Sequence, residues 1–365
     1  MTTEPAPSRL AAEIAAIIAD GGPIGVDRFM ALALGHPVLG YYVTRDPFGA
    51  EGDFTTAPET SQMFGELLGA WAADVWTAMG KPATVRLVEL GPGRGTLLAD
   101  VLRVARRLPG LAETIDLHLV EISPALREVQ RRTLAHCGRP VSWAASLDDV
   151  PPGPAIVLAN EFFDTLPVRH YVRKPQGWHE RLVGFGDGAL AFGLAPEPEP
   201  GITLDAPDGA ILEIGLAAQG LARGLAEHLL RNEGAALVID YGYMVPAFAE
   251  TLQAVRRHRF TDPLSAPGEA DLSAHVDFGG LTRAARRAGA AVHGPVPQGT
   301  FLRGLGIAAR AAVLKRRATA EAAAAIDAAL DRLTGAGTAD RPGMGHFFKV
   351  LCIAAPGLPV PPGFS

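Results

Sequence analysis

The sequence predicts a Rossmann-like α/β fold, a mostly parallel doubly wound sheet carrying a β-rich inserted subdomain. From Val85 onward short apolar runs alternate with helical stretches, the pattern of parallel strands joined by crossover helices. A glycine-rich turn, Gly91-Pro92-Gly93-Arg94-Gly95, falls where the first of those runs gives way to a helix. After residue 164 the texture changes to strict alternation around Asp187-Gly188, which reads as a hairpin.

The elements follow in order. Ser8 to Ala19 sets Leu10, Ile14, Ile17 and Ile18 on one helical face and stops at Asp20-Gly21-Gly22. A second helix covers Val26 to Leu34, followed by a long irregular run punctuated by Pro47, Gly49 and Gly52. Thr60 is expected to open an amphipathic helix with Phe64, Leu67, Leu68, Trp71 and Val75 on its apolar stripe, ending at Gly80. Strands are predicted at Val85 to Leu90, Ile115 to Glu121, Val141 to Ala145, Ala155 to Asn160 and Ala236 to Tyr241. Helices are predicted at Thr96 to Leu108 and Pro124 to His136, the second with Ser123 as N-cap and Pro124 at the first helical position. Met244 to Gly280 reads as irregular; helices at Leu281 to Ala288 and Ala318 to Leu333 and a buried strand from Phe347 to Ala355 close the chain. The expected division is residues 1–80 as N-terminal helices with a cofactor-covering loop, 81–164 and 216–355 as the core, and 165–215 as the inserted hairpin subdomain.

Composition limits the function classes. With 365 residues the chain is long for a single core, and no apolar run approaches the ~20 residues that span a bilayer. A net charge of −6 gives no broad footprint for nucleic acid. Cys137 and Cys352 show no metal or redox spacing and read as reduced core thiols, and no signal or transit pattern opens the chain, so a cytoplasmic location is expected. The basic groups Arg256-Arg257-His258-Arg259 and Lys315-Arg316-Arg317 read as solvated helix faces. Oligomeric state is not legible.

The chemistry concentrates at the strand ends. Gly91, Pro92, Gly93 and Gly95 let the backbone turn sharply and approach a ligand, with the N–H groups of the next helix behind them. The glycines run G-x-G-x-G, with Thr96 where a dinucleotide fingerprint has its third glycine. Glu121 lies about thirty residues past Gly91, beyond the ~20 of that fingerprint. A nicotinamide dinucleotide is therefore disfavoured and an adenosylmethionine-type cofactor favoured, with Glu121 accepting from both ribose hydroxyls; the plainer reading of Glu121 is a solvated strand-end carboxylate. Ile122 follows it, and Ser146 and Leu147, after the third strand, would wall the adenine through their backbone.

Asn160-Glu161-Phe162-Phe163-Asp164 ends the fourth strand, at the edge where open parallel sheets take ligands. Asn160 is a cofactor candidate, and Glu161 and Asp164 could clamp an acceptor guanidinium bidentately, or serve as turn and helix caps. Asp53, Thr55, Thr56, Pro58, Glu59 and Ser61 could fold over a cofactor or cap the following helix. Asp271, His275 and Asp277 cluster without a complete metal set; His275 is a catalytic candidate, with a structural role as the alternative.

Taken together, Gly52-Asp53-Phe54-Thr55-Thr56-Ala57-Pro58-Glu59, Val88 to Thr96, Val120 to Pro124, Asn160 to Asp164, Ile239-Asp240-Tyr241-Gly242 and Ala274 to Phe278 resemble the MidA family over about residues 22–350. That family includes the mitochondrial complex I assembly methyltransferase and bacterial relatives. The resemblance implies a Rossmann-like methyltransferase fold and an S-adenosyl-L-methionine-dependent protein arginine methyltransferase acting on a protein, possibly a respiratory complex I subunit. It carries over Gly91, Gly93 and Gly95 as the cofactor loop and Glu121 as the ribose carboxylate. Two rivals stand beside it: an NAD-dependent oxidoreductase, and an assembly chaperone that binds cofactor and partner without turnover.

Overall fold

A computed structural model describes residues 8–44, 56–245, 248–338 and 343–364. The chain divides into two compact units, one of Met1–Phe54, Asp164–Ala218 and Val245–Asp277, the other of Thr55–Phe163, Gln219–Met244 and Phe278–Ser365. The N-terminal helices and residues 245–277 thus group with the 164–218 segment, whereas the sequence alone suggests a hairpin insertion by itself.

In the second unit the strands are β1 (Val85–Leu90), β2 (Ile115–Val120), β3 (Val141–Ala144), β4 (Ala155–Asn160), β5 (Gly234–Tyr243), β6 (Ala291–Pro297) and β7 (Phe348–Ala354). Their path through the sheet is β6-β7-β5-β4-β1-β2-β3. β1, β2, β3, β4 and β5 pair in parallel, and β7 runs antiparallel between β5 and β6. All six residues of β4 are buried, which is why it reads as an unbroken apolar run rather than an alternation. The order reverses between β1 and β4: the chain leaves β1 outward to β2 and β3, then returns on the other side. The carboxyl ends of β1 and β4 therefore flank a topological switch point, where open α/β sheets form ligand crevices.

Helix α1 (Gln62–Ala78) and helix α2 (Thr96–Ala105) pack closely because α1 carries glycines at the contact. A Cβ on Gly65 would meet Asp100 Cβ at 2.5 Å, and one on Gly69 would meet Val104 Cβ at 3.0 Å. Arg103 (3.1 Å) and Arg310 (2.7 Å) pair with the largely buried Glu66 beside this contact. The helix expected to begin at Thr60 is two helices: Ala57–Thr60, then α1, whose N-cap is Ser61 through an acceptance from Met63 N at 3.2 Å. Helix α3 (Pro124–Thr133) keeps Ser123 as its N-cap. The helix Leu216–Asn232, with Ala222, Leu225, Ala226 and Leu229 buried at helical spacing, and the helices Gln298–Gly304 and Ile307–Lys315 are additions to the expected set.

In the first unit Ser8 caps the helix Arg9–Gly21, accepting from Ala11 N at 3.1 Å. Leu10, Ile14 and Ile18 pack with Phe29, Met30 and Tyr41. A sheet runs Ile24–Gly25, Gly177–Gly186, Arg169–Lys174, Ile211–Ile214, with Ala189–Pro198 hairpinned onto Gly177–Gly186. The turn is Asp187-Gly188, both at positive φ (53° and 81°), the geometry that matches strand twist. The expectation of irregular chain from 244 to 280 is corrected: Gln253–Arg256, Arg259–Thr261 and Asp271–Ser273 form a second sheet. Arg256 to Arg259 therefore belong to a hairpin, not a helix face; Arg257 and His258 take φ of 51° and 60° at its tip. Among the described residues no helix is long and apolar enough to cross a membrane.

Candidate functional site

The turn after β1 is built by left-handed backbone at Gly91, Gly93 and Gly95 (φ 61°, 52° and 81°), a region costly to a side chain. Pro92 O accepts from Gly95 N at 2.7 Å and closes the turn. At Gly91 the space is also restricted, since a Cβ would meet Phe162 Cδ2 at 2.4 Å. The glycine turn thus lies directly against the segment that follows β4, as the switch point requires.

Glu121 directly follows β2 and is buried (7% exposed). Its Oε1 accepts from Ser123 N at 2.8 Å and its Oε2 from Gln130 Nε2 at 3.0 Å. Burial raises its carboxyl above the ordinary value, and those donors oppose the rise. Each carboxylate oxygen has two lone pairs, so two acceptances leave capacity for further donors. Gln130 on α3 is a residue that motif reasoning passes over. Fully buried, it also donates to Gly93 O at 2.8 Å and accepts from Trp143 Nε1 at 2.8 Å. Its signal in the sequence is a polar residue four positions after Leu126, on the apolar face of its helix.

Around the carboxylate, Ile122 is 54% exposed, an apolar surface suited to a flat base. Ser146 is engaged by Asp149, whose Oδ2 accepts from Ser146 N (3.0 Å) and Oγ (2.9 Å), leaving the buried Leu147 as the apolar wall after β3.

Two further acceptors sit at the ends of β1 and β4. Glu89, two residues before Gly91, is 3% exposed, its Oε2 has no hydrogen-bond partner among the described residues, and burial pushes its carboxyl up to about 8. Its signal is an acid in the apolar second half of its strand, between Val88 and Leu90. Asn160 donates Nδ2 to Glu161 Oε1 at 3.1 Å while its buried Oδ1 has no partner among the described residues. A buried acceptor without a donor is costly, by about 1–3 kcal/mol, so this pair of atoms beside the glycine turn suits a ligand that brings donors or positive charge. These residues fit adenosylmethionine, which carries an ammonium group, a sulfonium and a ribose diol.

Glu161 follows Asn160 in left-handed backbone (φ 50°), unusual for a non-glycine residue and the kind of outlier that clusters at functional sites. Its Oε1 also accepts from Ala57 N at 2.9 Å, at the start of the helix Ala57–Thr60. Asp240 Oδ2 accepts from Phe162 N (3.2 Å) and Phe163 N (2.9 Å) and fixes the rest of this turn. Of the early-loop candidates, Asp53 and Thr55 lie outside the described residues; Ser61 is a helix cap, and Glu59 accepts from Thr96 Oγ1 at 2.6 Å.

The remaining two catalytic candidates belong to the first unit. Asp164 is buried, and its backbone carbonyl accepts from Ala274 N at 2.9 Å. His275 N donates to Thr251 Oγ1 at 2.8 Å, and burial lowers the imidazole below its usual value, against the opposing charge of Glu213. Glu213 Oε1 accepts from Thr251 N (2.7 Å) and Leu252 N (3.1 Å), so it anchors the strand entry before Gln253.

Residues 67–296 match the family described as "Putative S-adenosyl-L-methionine-dependent methyltransferase". The human protein arginine methyltransferase NDUFAF7, mitochondrial, is 41% identical over 320 residues, 80% of this chain and 72% of that protein; the mouse protein is 42% identical over 81% of this chain and 74% of its own length. A crystal structure of a Burkholderia thailandensis protein bound to S-adenosyl-homocysteine superposes with a TM-score of 0.85 at 30% identity, covering 99% of this chain and 97% of that one. The expected cytoplasmic location is overturned by the relatives, which are named mitochondrial. The thiols that supported it, Cys137 and Cys352, are buried, and a thiol hidden from solvent stays reduced by inaccessibility and does not report its compartment. Fold, cofactor cradle and relatives agree: the chain belongs to the MidA-like family of S-adenosyl-L-methionine-dependent methyltransferases.

Proposed function

We propose that this methyltransferase modifies arginine side chains of a protein, and that its substrate is a subunit of respiratory complex I. The arginine specificity rests on the relatives named protein arginine methyltransferase, and the complex I partner on the family resemblance. The observation that carries the cofactor assignment to residues is the pair of buried acceptors Glu89 Oε2 and Asn160 Oδ1 beside the glycine turn, which have no hydrogen-bond partner among the described residues.

When bound, adenosylmethionine supplies a sulfonium methyl group for in-line attack. Gly91, Pro92, Gly93 and Gly95 give it close backbone approach, Glu121 takes the ribose hydroxyls, and Ile122, Ser146 and Leu147 border the purine. Glu161 orients the acceptor guanidinium, which needs positioning more than covalent help. The test is mass spectrometry of the host proteome with and without the gene, followed by transfer to the purified candidate. A lost increment of one or two CH2 units on arginine is expected; a loss on lysine, on a small molecule, or no loss at all overturns the reading.

A further inference from the structure

We propose that Glu59 is a positioning residue for the cofactor loop, acting through Thr96, and that the helix Ala57–Thr60 is a strut joining the turns after β1 and β4. The inference rests on the adenosylmethionine assignment and gives Glu59 and Thr96 a joint role that neither the motifs nor the relatives' names assign. At one end of the strut, Ala57 N donates to Glu161 Oε1 at 2.9 Å. At the other, Glu59 Oε1 accepts from Thr96 Oγ1 at 2.6 Å. Both bonds lie within one compact unit.

Thr96 is where the loop departs from a dinucleotide fingerprint, and the structure gives that hydroxyl a use. Helix α2 takes its N-cap from Gly95, in left-handed backbone and with no side chain to cap it. The hydroxyl comes one residue too late to cap, and instead turns to Glu59. Thr is stiff about χ1, so holding its hydroxyl constrains the Gly95-Thr96 junction and the Pro92 to Gly95 turn closed just before it. Pro58, with its fixed φ, stiffens the strut between its anchors. A carboxylate beside the first turn of α2 also complements the positive end of the helix.

The experiment measures S-adenosyl-homocysteine binding by calorimetry, and the ligand-free melting temperature, for the full chain and for Glu59→Ala, Glu59→Gln, Thr96→Val, Thr96→Ser and the Glu59→Ala/Thr96→Val double variant. Glu59→Ala and Thr96→Val are each expected to weaken binding about tenfold. Glu59→Gln keeps an acceptor and Thr96→Ser keeps a donor, so both should bind within about threefold of wild type. The double variant should be no weaker than the worse single one, because both changes break the same bond. A purely structural role predicts lowered melting temperatures with unchanged affinity. The strut is overturned if Glu59→Ala binds within about twofold of wild type, or if the double variant's losses multiply to about a hundredfold. If wild type itself binds no S-adenosyl-homocysteine, the cofactor assignment fails and the strut with it; normal wild-type binding with unaffected variants sinks the strut alone.

Discussion

The side-chain amide of Gln130 donates to Glu121 Oε2 at 3.0 Å and to Gly93 O at 2.8 Å, so one buried group holds both the Glu121 carboxylate and the glycine turn in place. Gln130 is itself fixed by Trp143 Nε1 at 2.8 Å. Gln130→Leu preserves bulk but removes all three bonds. It is expected to destabilise the protein by about 1–3 kcal/mol through the partners left behind, and to weaken S-adenosyl-homocysteine at least about tenfold. Denaturant titration and calorimetry on the same preparation check both; lost stability with wild-type affinity would restrict Gln130 to packing.

Gly91 and Gly95 differ in what an added methyl meets, which separates backbone strain from crowding. At Gly95 the nearest atoms to a Cβ are on Leu134 at 3.6 Å, an ordinary contact. Gly95→Ala is therefore expected to cost only the left-handed backbone, about 1 kcal/mol. At Gly91 the methyl would also displace the Phe162 ring, 2.4 Å away, for roughly 2–4 kcal/mol in total. Adding Phe162→Leu should recover part of the loss in Gly91→Ala and none in Gly95→Ala. Equal costs at the two glycines would contradict the packing of the turn against the segment after β4.

Burial pushes the Glu89 carboxyl up to about 8 from an ordinary 4.5. The folded protein thus keeps a proton that the unfolded chain releases between those values. The corresponding stability is fully present below the unfolded value and is lost as pH rises through the folded one, by at most ~1.4 kcal/mol per pH unit. Glu89→Gln has no proton to lose. In ligand-free protein the melting temperature of the Gln variant relative to wild type should therefore climb between about pH 5 and about pH 8. Parallel profiles across that interval would mean that Glu89 is ionised in the fold.

The legible parts of the structure are those whose physics is local. β1 and β4 match their predicted bounds because buried parallel strands are mostly apolar, and Asp187-Gly188 announces its hairpin because glycine accepts left-handed backbone freely. The hairpin at Arg257-His258 is hidden by the same rule, since two non-glycine residues occupy the left-handed positions there. The grouping of the N-terminal helices with the 164–218 segment depends on pairings such as Ile24 with Val183, which no local pattern records. At the site, the glycines and Glu121 are visible as a motif, whereas the bond from Thr96 to Glu59 crosses 37 positions and leaves no periodicity. Gln130 and Glu89 are intermediate: each shows as a polar residue in an apolar pattern, but its partners emerge only in three dimensions.

Glu161 carries two roles that one substitution can separate. Its Oε1 accepts from Ala57 N and Asn160 Nδ2, an architectural duty that needs an oxygen but not a charge. The proposed orientation of a guanidinium needs the charge as well. Glu161→Gln keeps the acceptor for both donors and loses only the charge, whereas Glu161→Ala loses both. The Gln variant is expected to fold with a melting temperature near wild type and to bind S-adenosyl-homocysteine normally, while single-turnover methyl transfer to a verified arginine substrate falls about a hundredfold, equivalent to ~2.7 kcal/mol of transition-state stabilisation. The Ala variant should add a loss of cofactor affinity, because the Ala57 end of the strut is released. Asp164→Asn is expected to leave the local fold intact, since its backbone carbonyl keeps the bond from Ala274 N whatever the side chain. Wild-type transfer by Glu161→Gln would reduce Glu161 to an anchor for the helix Ala57–Thr60. The acceptor would then have to be held by other groups.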